Sequence, residues 1–281
     1  MDLIYNLIGW LPFDCLEPRF MRQALFALLL LSPMSAMLGI HVLNFRMAFF
    51  SDAVGHSAFT GLALGLIFGA PPQLAVLTFG VLVGLAIMAI QRRSGLSADA
   101  SIGIVFSAVV AFGLAIVSRA PNIGRDIQQY LYGDILTVNQ MEITALMILL
   151  GVLSLFEFFG WNRLLSLSLS PAMARIEGIS TTFWQYTFAG LLALVVMFAV
   201  RAVGVLLVTA LLVVPAATGR NLGNSMPGMF WWSIVVAIFS SIAGLILSAQ
   251  EWIATASGAT VILVACLLFG LSTLHLHWRR R

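Results

Sequence analysis

Asp52 and His56 are the two residues of this chain whose types and spacing best suit chemistry. They stand four apart in FFSDAVGHSAFTGLALGLIFG, residues 49–69. In a helix that spacing puts both side chains on one face, one turn apart. A carboxylate and an imidazole so placed can hold a divalent metal or relay a proton. They can equally well form a polar pair that only hydrogen-bonds a neighbouring helix. The residues around them are apolar enough to cross a bilayer. Ionisable groups are costly there and face a protein interior or a water-filled path. Offset by one residue, Ala53, Ser57, Gly61, Gly65 and Gly69 put a small residue at every fourth position. Such a ridge allows close helix approach, and Ser57, Gly61 and Gly65 are its expected packing residues.

The elements that must position this pair are membrane helices. Of 281 residues, 61% are hydrophobic and 9% charged, more apolar surface than a water-soluble fold can hide. The expectation is an all-α polytopic bundle of about eight or nine spans. The hydrophobic stretches fall near 20–43, 47–69, 73–91, 101–118, 140–160, 184–200, 202–219, 229–249 and 258–274. Pro33 and Pro215 lie inside two of them, and Pro215 is expected to break or kink its helix, so eight spans with one broken helix is the alternative. Residues 1–18, with Asp2, Asp14 and Glu17, lack the basic start of a signal peptide and read as an amphipathic lead-in. Residues 19–281 read as a single membrane domain.

All fourteen basic residues are Arg. Without a Lys the chain cannot be an ordinary P-loop ATPase by itself, and Schiff-base chemistry is excluded. A net charge of +3 is too small and too dispersed for a nucleic-acid partner. Cys15 and Cys266 have no paired-ligand spacing. An intramembrane metallopeptidase would want a His-Glu-x-x-His helix, and the sequence has none.

Other polar residues attract weaker readings. Glu142 and Glu157 are expected near the two ends of the fifth stretch, where carboxylates reach water, and are not taken as ligands. Asp126 and Asp134 belong to a polar connection with Tyr130 and Tyr132, read as a solvated loop at the interface. His275 and His277 alternate like a chelating pair, but a terminal tail at the interface is the preferred reading. Earlier in the chain, Ser170-Pro171 signals a helix start and Gly178 a stop, so Ala172 to Glu177 should form a short helix. On composition that helix is a surface connector.

Orientation comes from the arginines. With nine crossings and 162–183 cytoplasmic, nine of the fourteen Arg lie inside: Arg46, Arg92, Arg93, Arg163, Arg175, Arg220 and Arg279 to Arg281. Arg19, Arg22, Arg119, Arg125 and Arg201 do not. His56 is then roughly 15 Å above Arg46 along a helix, near the middle of a ~30 Å hydrocarbon core.

Three stretches together resemble the permease family of metal-uptake ABC importers, its zinc, manganese and iron branch. They are FRMAFFSDAVGHSAFTGLALG (45–65), SPAMARIEGIS (170–180) and VGVLLVTALLVVPAATGR (203–220). The similarity extends over nearly the whole chain, excluding 1–18 and HLHWRRR. It implies a homodimer, two cytoplasmic ATP-binding cassette subunits, and an extracytoplasmic metal-binding protein. It also implies that the short helix is the one coupled to the ATPase, within a segment of about 165–183, with Ala174, Glu177 and Gly178 at the contact. Asp52 and His56 match the motif's metal-path carboxylate and histidine. The resemblance thus implies a multi-pass permease of the bacterial cytoplasmic (inner) membrane, with no permanently bound cofactor and no hydrolysis of its own. Zinc is the leading expectation for the cargo, with manganese or iron as alternatives. A secondary transporter using Asp52 and His56 as a proton relay is the competing class.

Overall fold

The computed structural model describes residues 14–119, 135–250 and 255–279. Ten α-helices follow one another among them: α1 Arg19–Asn44, α2 Phe50–Phe68, α3 Pro72–Ser94, α4 Ala98–Val117, α5 Gln140–Leu169, α6 Pro171–Ile176, α7 Thr181–Val203, α8 Val205–Leu222, α9 Met226–Ser248 and α10 Ser257–Arg279. Eight are long and apolar enough to cross a membrane. The ninth long helix is α2, 19 residues, in which Asp52 and His56 dilute the apolar run. No strand occurs among the described residues.

Local signals in the chain account for the helix ends. α2 stops at Gly69, whose φ of 65° is the left-handed conformation that glycine adopts without a Cβ penalty. α3 then starts with Pro72 in its first turn, where a missing N–H costs nothing. Ser97, Ser170 and Ser225 cap α4, α6 and α9, each accepting a bond from a backbone N–H three residues on.

Two expectations need correcting. The fifth stretch was expected to close near residue 160, but α5 runs on to Leu169. Asn162 and Arg163 do not end it, because the first strong stop is Ser170-Pro171. Arg163 continues the helix with its guanidinium 5.0 Å from the centre of the Trp184 ring, a cation–π contact that accommodates the charge. Of the break or kink expected at Pro215, the break does not occur. Pro33 and Pro215 both sit inside unbroken helices. The interruption falls at Gly204, φ 82° and ψ 161°, a backbone state that only glycine enters cheaply. A proline removes one helical hydrogen bond; a residue at that φ and ψ redirects the chain.

The chain divides into two compact units. Among the described residues, one comprises 14–40, 135–154, 210–250 and 255–279; within it Ser32 and Ser241 share a buried hydroxyl bond of 2.6 Å, and Asn221 donates to Ser272 at 3.0 Å. The other comprises 41–119 and 155–209 and holds α2, α3, α4 and α7. There α2 packs on α3, α4 and α7. A Cβ on Gly61 would lie 3.0 Å from that of Phe79 and 3.1 Å from the Val76 Cα, and one on Gly65 2.7 Å from the Ala75 Cβ. The backbones of α2 and α3 therefore approach as only small residues permit. Ser57 is fully buried and returns its hydroxyl to the Val54 carbonyl at 2.6 Å.

Candidate functional site

Asp52 lies in the first turn of α2 and is half-buried. Its Oδ1 accepts a hydrogen bond from the Thr209 hydroxyl, in the first turns of α8, at 2.8 Å. Gly55 makes this juxtaposition achievable: a Cβ there would stand 2.9 Å from Val205 Cγ1 and 3.4 Å from Val200 Cγ2. The bare backbone of α2 thus seats the Gly204 corner, and α8 leaves it within reach of Asp52. One turn further along, His56 is exposed, its ring edge-on to Phe106 with centroids 5.5 Å apart. Among the described residues Asp52 and His56 are not hydrogen-bonded to each other.

Among the described residues, one carboxylate and one imidazole are the ligand-type side chains brought together here. Among the described residues no group of three or more His, Cys, Asp or Glu could hold a metal. A metal held by this pair needs further ligands, from water or from a second protein surface.

The segment 170–180 lies elsewhere in the same unit. α6 is a six-residue helix with Ala174 fully buried beneath it. Glu177 closes it and accepts a bond from the Ser166 hydroxyl at 2.9 Å. Gly178 turns the chain at φ 78°. Met173 and Ile176 are 59% and 82% exposed; apolar groups so presented at the end of a loop suit a protein partner.

Of the weaker candidates, Glu142 is a cap. Its carboxylate accepts from the Asn139 N–H at 3.0 Å while its own N–H donates to Asn139 Oδ1 at 2.9 Å, a reciprocal box at the start of α5. His275 and His277 fall in the last turns of α10 and are exposed; two apart on a helix, they diverge. His275 borders an apolar groove of about 350 Å³ with Trp232, Phe239 and Leu268. Asp126, Asp134, Tyr130, Tyr132, Glu251 and most of the lead-in lie outside the described residues.

Glu157 is the correction among the candidates. Because α5 continues to Leu169, this carboxylate is well inside the helix and only 5% exposed. It meets His41 of α1, which is fully buried, with Nε2 3.0 Å from Oε2. Trp161 and Phe188 stand edge-on to the imidazole, centroids at 5.2 and 5.9 Å. His41 Nδ1 and Glu157 Oε1 have no hydrogen-bond partner. Sequence reading passed over Thr209 as well, although it is the single polar side chain in Val203–Pro215. A lone hydroxyl in so apolar a run was the available signal.

Residues 17–275 match the ABC 3 transport family. The high-affinity zinc uptake system membrane protein ZnuB of Haemophilus influenzae is 34% identical over 89% of this chain and 95% of that protein. The manganese transport system membrane protein MntC of Halalkalibacterium halodurans is 32% identical over 92% of this chain and 87% of that protein. Among solved structures, PsaBC from Streptococcus pneumoniae in complex with Fab superposes with a TM-score of 0.76. It is 26% identical and covers 97% of this chain and 95% of that one. The chain belongs to the ABC 3 transport family. It is a metal-uptake permease, a membrane-spanning transport subunit and not an enzyme.

Proposed function

We propose that this permease carries zinc into the cytoplasm, and that Asp52 and His56 are the ligands the ion meets on its way. The carrying observation is the pair itself: an acid and an imidazole one turn apart on α2, one oxygen already held by Thr209, the imidazole uncovered. An exposed imidazole in an apolar helix needs a polar neighbour, and a second copy across a two-fold axis supplies one. Two Asp and two His then make an oxygen and nitrogen set that suits tetrahedral zinc, with bonds of about 2.0–2.2 Å. The membrane domain is taken as 19–281, and the membrane as the bacterial inner membrane. Two ATP-binding cassette subunits drive the cycle through Ala174, Glu177 and Gly178, and an extracytoplasmic metal-binding protein delivers the ion. Manganese or iron is the second reading, supported by the manganese relative at 32% identity and by the weak discrimination that ligand type alone provides.

Growth under zinc chelation tests the site. Asp52→Ala and His56→Ala should each abolish rescue while the complex still assembles. Full rescue by both variants removes the site, and a defect confined to manganese limitation moves the cargo to manganese. The coupling assignment has its own test. Glu177→Arg should lower both stimulated ATPase activity and uptake with membrane insertion intact; normal transport would remove Glu177 from the contact.

A further inference from the structure

The chemistry of Asp52 is shared with a residue that neither spacing nor family resemblance singled out. The Thr209 hydroxyl has one proton and two acceptors in view: Asp52 Oδ1 at 2.8 Å and the Val205 carbonyl at 3.4 Å. The shorter bond takes the proton, and a hydroxyl donating to a carboxylate is a strong, directional contact. It does two things. It restrains the carboxylate's rotamer, and it takes one lone pair of Oδ1 on the side facing α8, which disfavours chelation through both oxygens. Asp52 is left with a single uncommitted oxygen.

We infer that Thr209 is a positioning residue that makes Asp52 a one-oxygen ligand and thereby biases this permease toward small, four-coordinate metals. The inference rests on the reading of Asp52 as a ligand. Zinc accepts four donors in a tetrahedron, and a monodentate carboxylate fits that geometry. Manganese favours six oxygen donors, and a carboxylate free to chelate through both oxygens raises the donor count without a new residue. An outer hydrogen bond to a ligand of this kind is commonly worth 10–100-fold in metal affinity.

The placement is built into the packing. Gly55 on α2 admits Val205 at a distance no side chain would allow, and Thr209 follows Val205 by one turn of α8. The Val205 carbonyl offers the hydroxyl an alternative acceptor, so the side chain is not stranded if Asp52 moves.

The test uses the permease assembled with its ATPase and binding protein. Thr209→Val keeps the shape and removes the hydroxyl; Thr209→Ser keeps the hydroxyl and removes the methyl. Zn²⁺ and Mn²⁺ are titrated into the purified complex, and uptake of each is measured in vesicles. Thr209→Val should assemble normally, raise the Kd and uptake KM for Zn²⁺ about tenfold, and shift the Mn²⁺-to-Zn²⁺ uptake ratio upward. Thr209→Ser should restore the wild-type ratio. Wild-type zinc affinity and ratio in Thr209→Val would overturn the inference, as would a Ser variant that behaves like the Val variant. Asp52→Ala, run alongside, separates the two claims. If it abolishes uptake while Thr209→Val is silent, Thr209 fails and the ligand assignment stands. Undiminished uptake in Asp52→Ala removes both.

Discussion

The second compact unit contains two histidine–carboxylate pairs that differ in nearly every physical respect. Asp52 and His56 come from one helix, four residues apart, and stay unbonded to each other, half-buried and exposed respectively. His41 and Glu157 come from helices 116 residues apart, meet at 3.0 Å, and are walled by Trp161 and Phe188. Residues one turn apart can pair, but here Asp52 turns to Thr209 and His56 to Phe106, so the two side chains do not close on each other. The pair brought together by two helices shares one hydrogen bond between Nε2 and Oε2, with aromatic rings beside the imidazole, while His41 Nδ1 and Glu157 Oε1 stay without a partner. Buried polar pairs add little stability compared with apolar packing, yet losing one partner is costly because the other is left stranded. Under the proposed function the open pair serves transport, and the closed pair is expected to serve the fold.

Removing one member of each pair separates them most sharply. His41→Ala or Glu157→Ala should destabilise the purified permease by about 1–3 kcal/mol or more, read as a drop in thermal midpoint or loss of assembled complex. Asp52→Ala and His56→Ala should leave that midpoint close to wild type while uptake disappears. A Glu157→Ala protein of normal stability that fails to transport would instead place the closed pair in the transport path.

The seam that holds α2 against α3 comes next. Gly61→Leu or Gly65→Leu must push Val76 or Ala75 aside, an overpacking cost of about 1–3 kcal/mol. Detergent-solubilised variants should melt earlier and transport slowly, because the displaced helix carries the open pair. The closed pair depends on α1, α5 and α7, so its contribution should persist: adding Glu157→Ala to Gly61→Leu should be additive within a few tenths of a kcal/mol. Strong non-additivity would mean that the two pairs share one packed network.

Removing both closed-pair members at once is the smallest expected effect. His41→Leu with Glu157→Met replaces the pair by apolar groups of similar bulk, and such exchanges are often neutral or stabilising. The double variant should assemble and transport near wild-type levels in the vesicle assay. A double variant that is stable but inactive would show that the polar character itself is needed.

Much of this protein is legible in one dimension. A membrane bundle follows from composition, because 61% apolar residues cannot be hidden from water otherwise. Helix starts and stops at Ser97, Ser170, Gly69 and Gly178 are local events, set by a hydroxyl or a missing Cβ within a few residues. The placing of Asp52 beside His56 on one face is equally local, since helix periodicity alone decides it. What the chain order could not disclose depends on partners far along it. Thr209 meets Asp52 across 157 residues, and His41 meets Glu157 across 116. Glu157 looked like a carboxylate within reach of water because the apolar stretch thins out near residue 160, where Asn162 and Arg163 follow. Their continuation into α5 became visible once Trp184 supplied a neighbour for Arg163. The corner at Gly204 rather than Pro215 is of the same kind, because a glycine's φ is chosen by the packing around it and a proline's is not. Local chemistry set which residues could act; tertiary packing decided which of them stand open and which are closed.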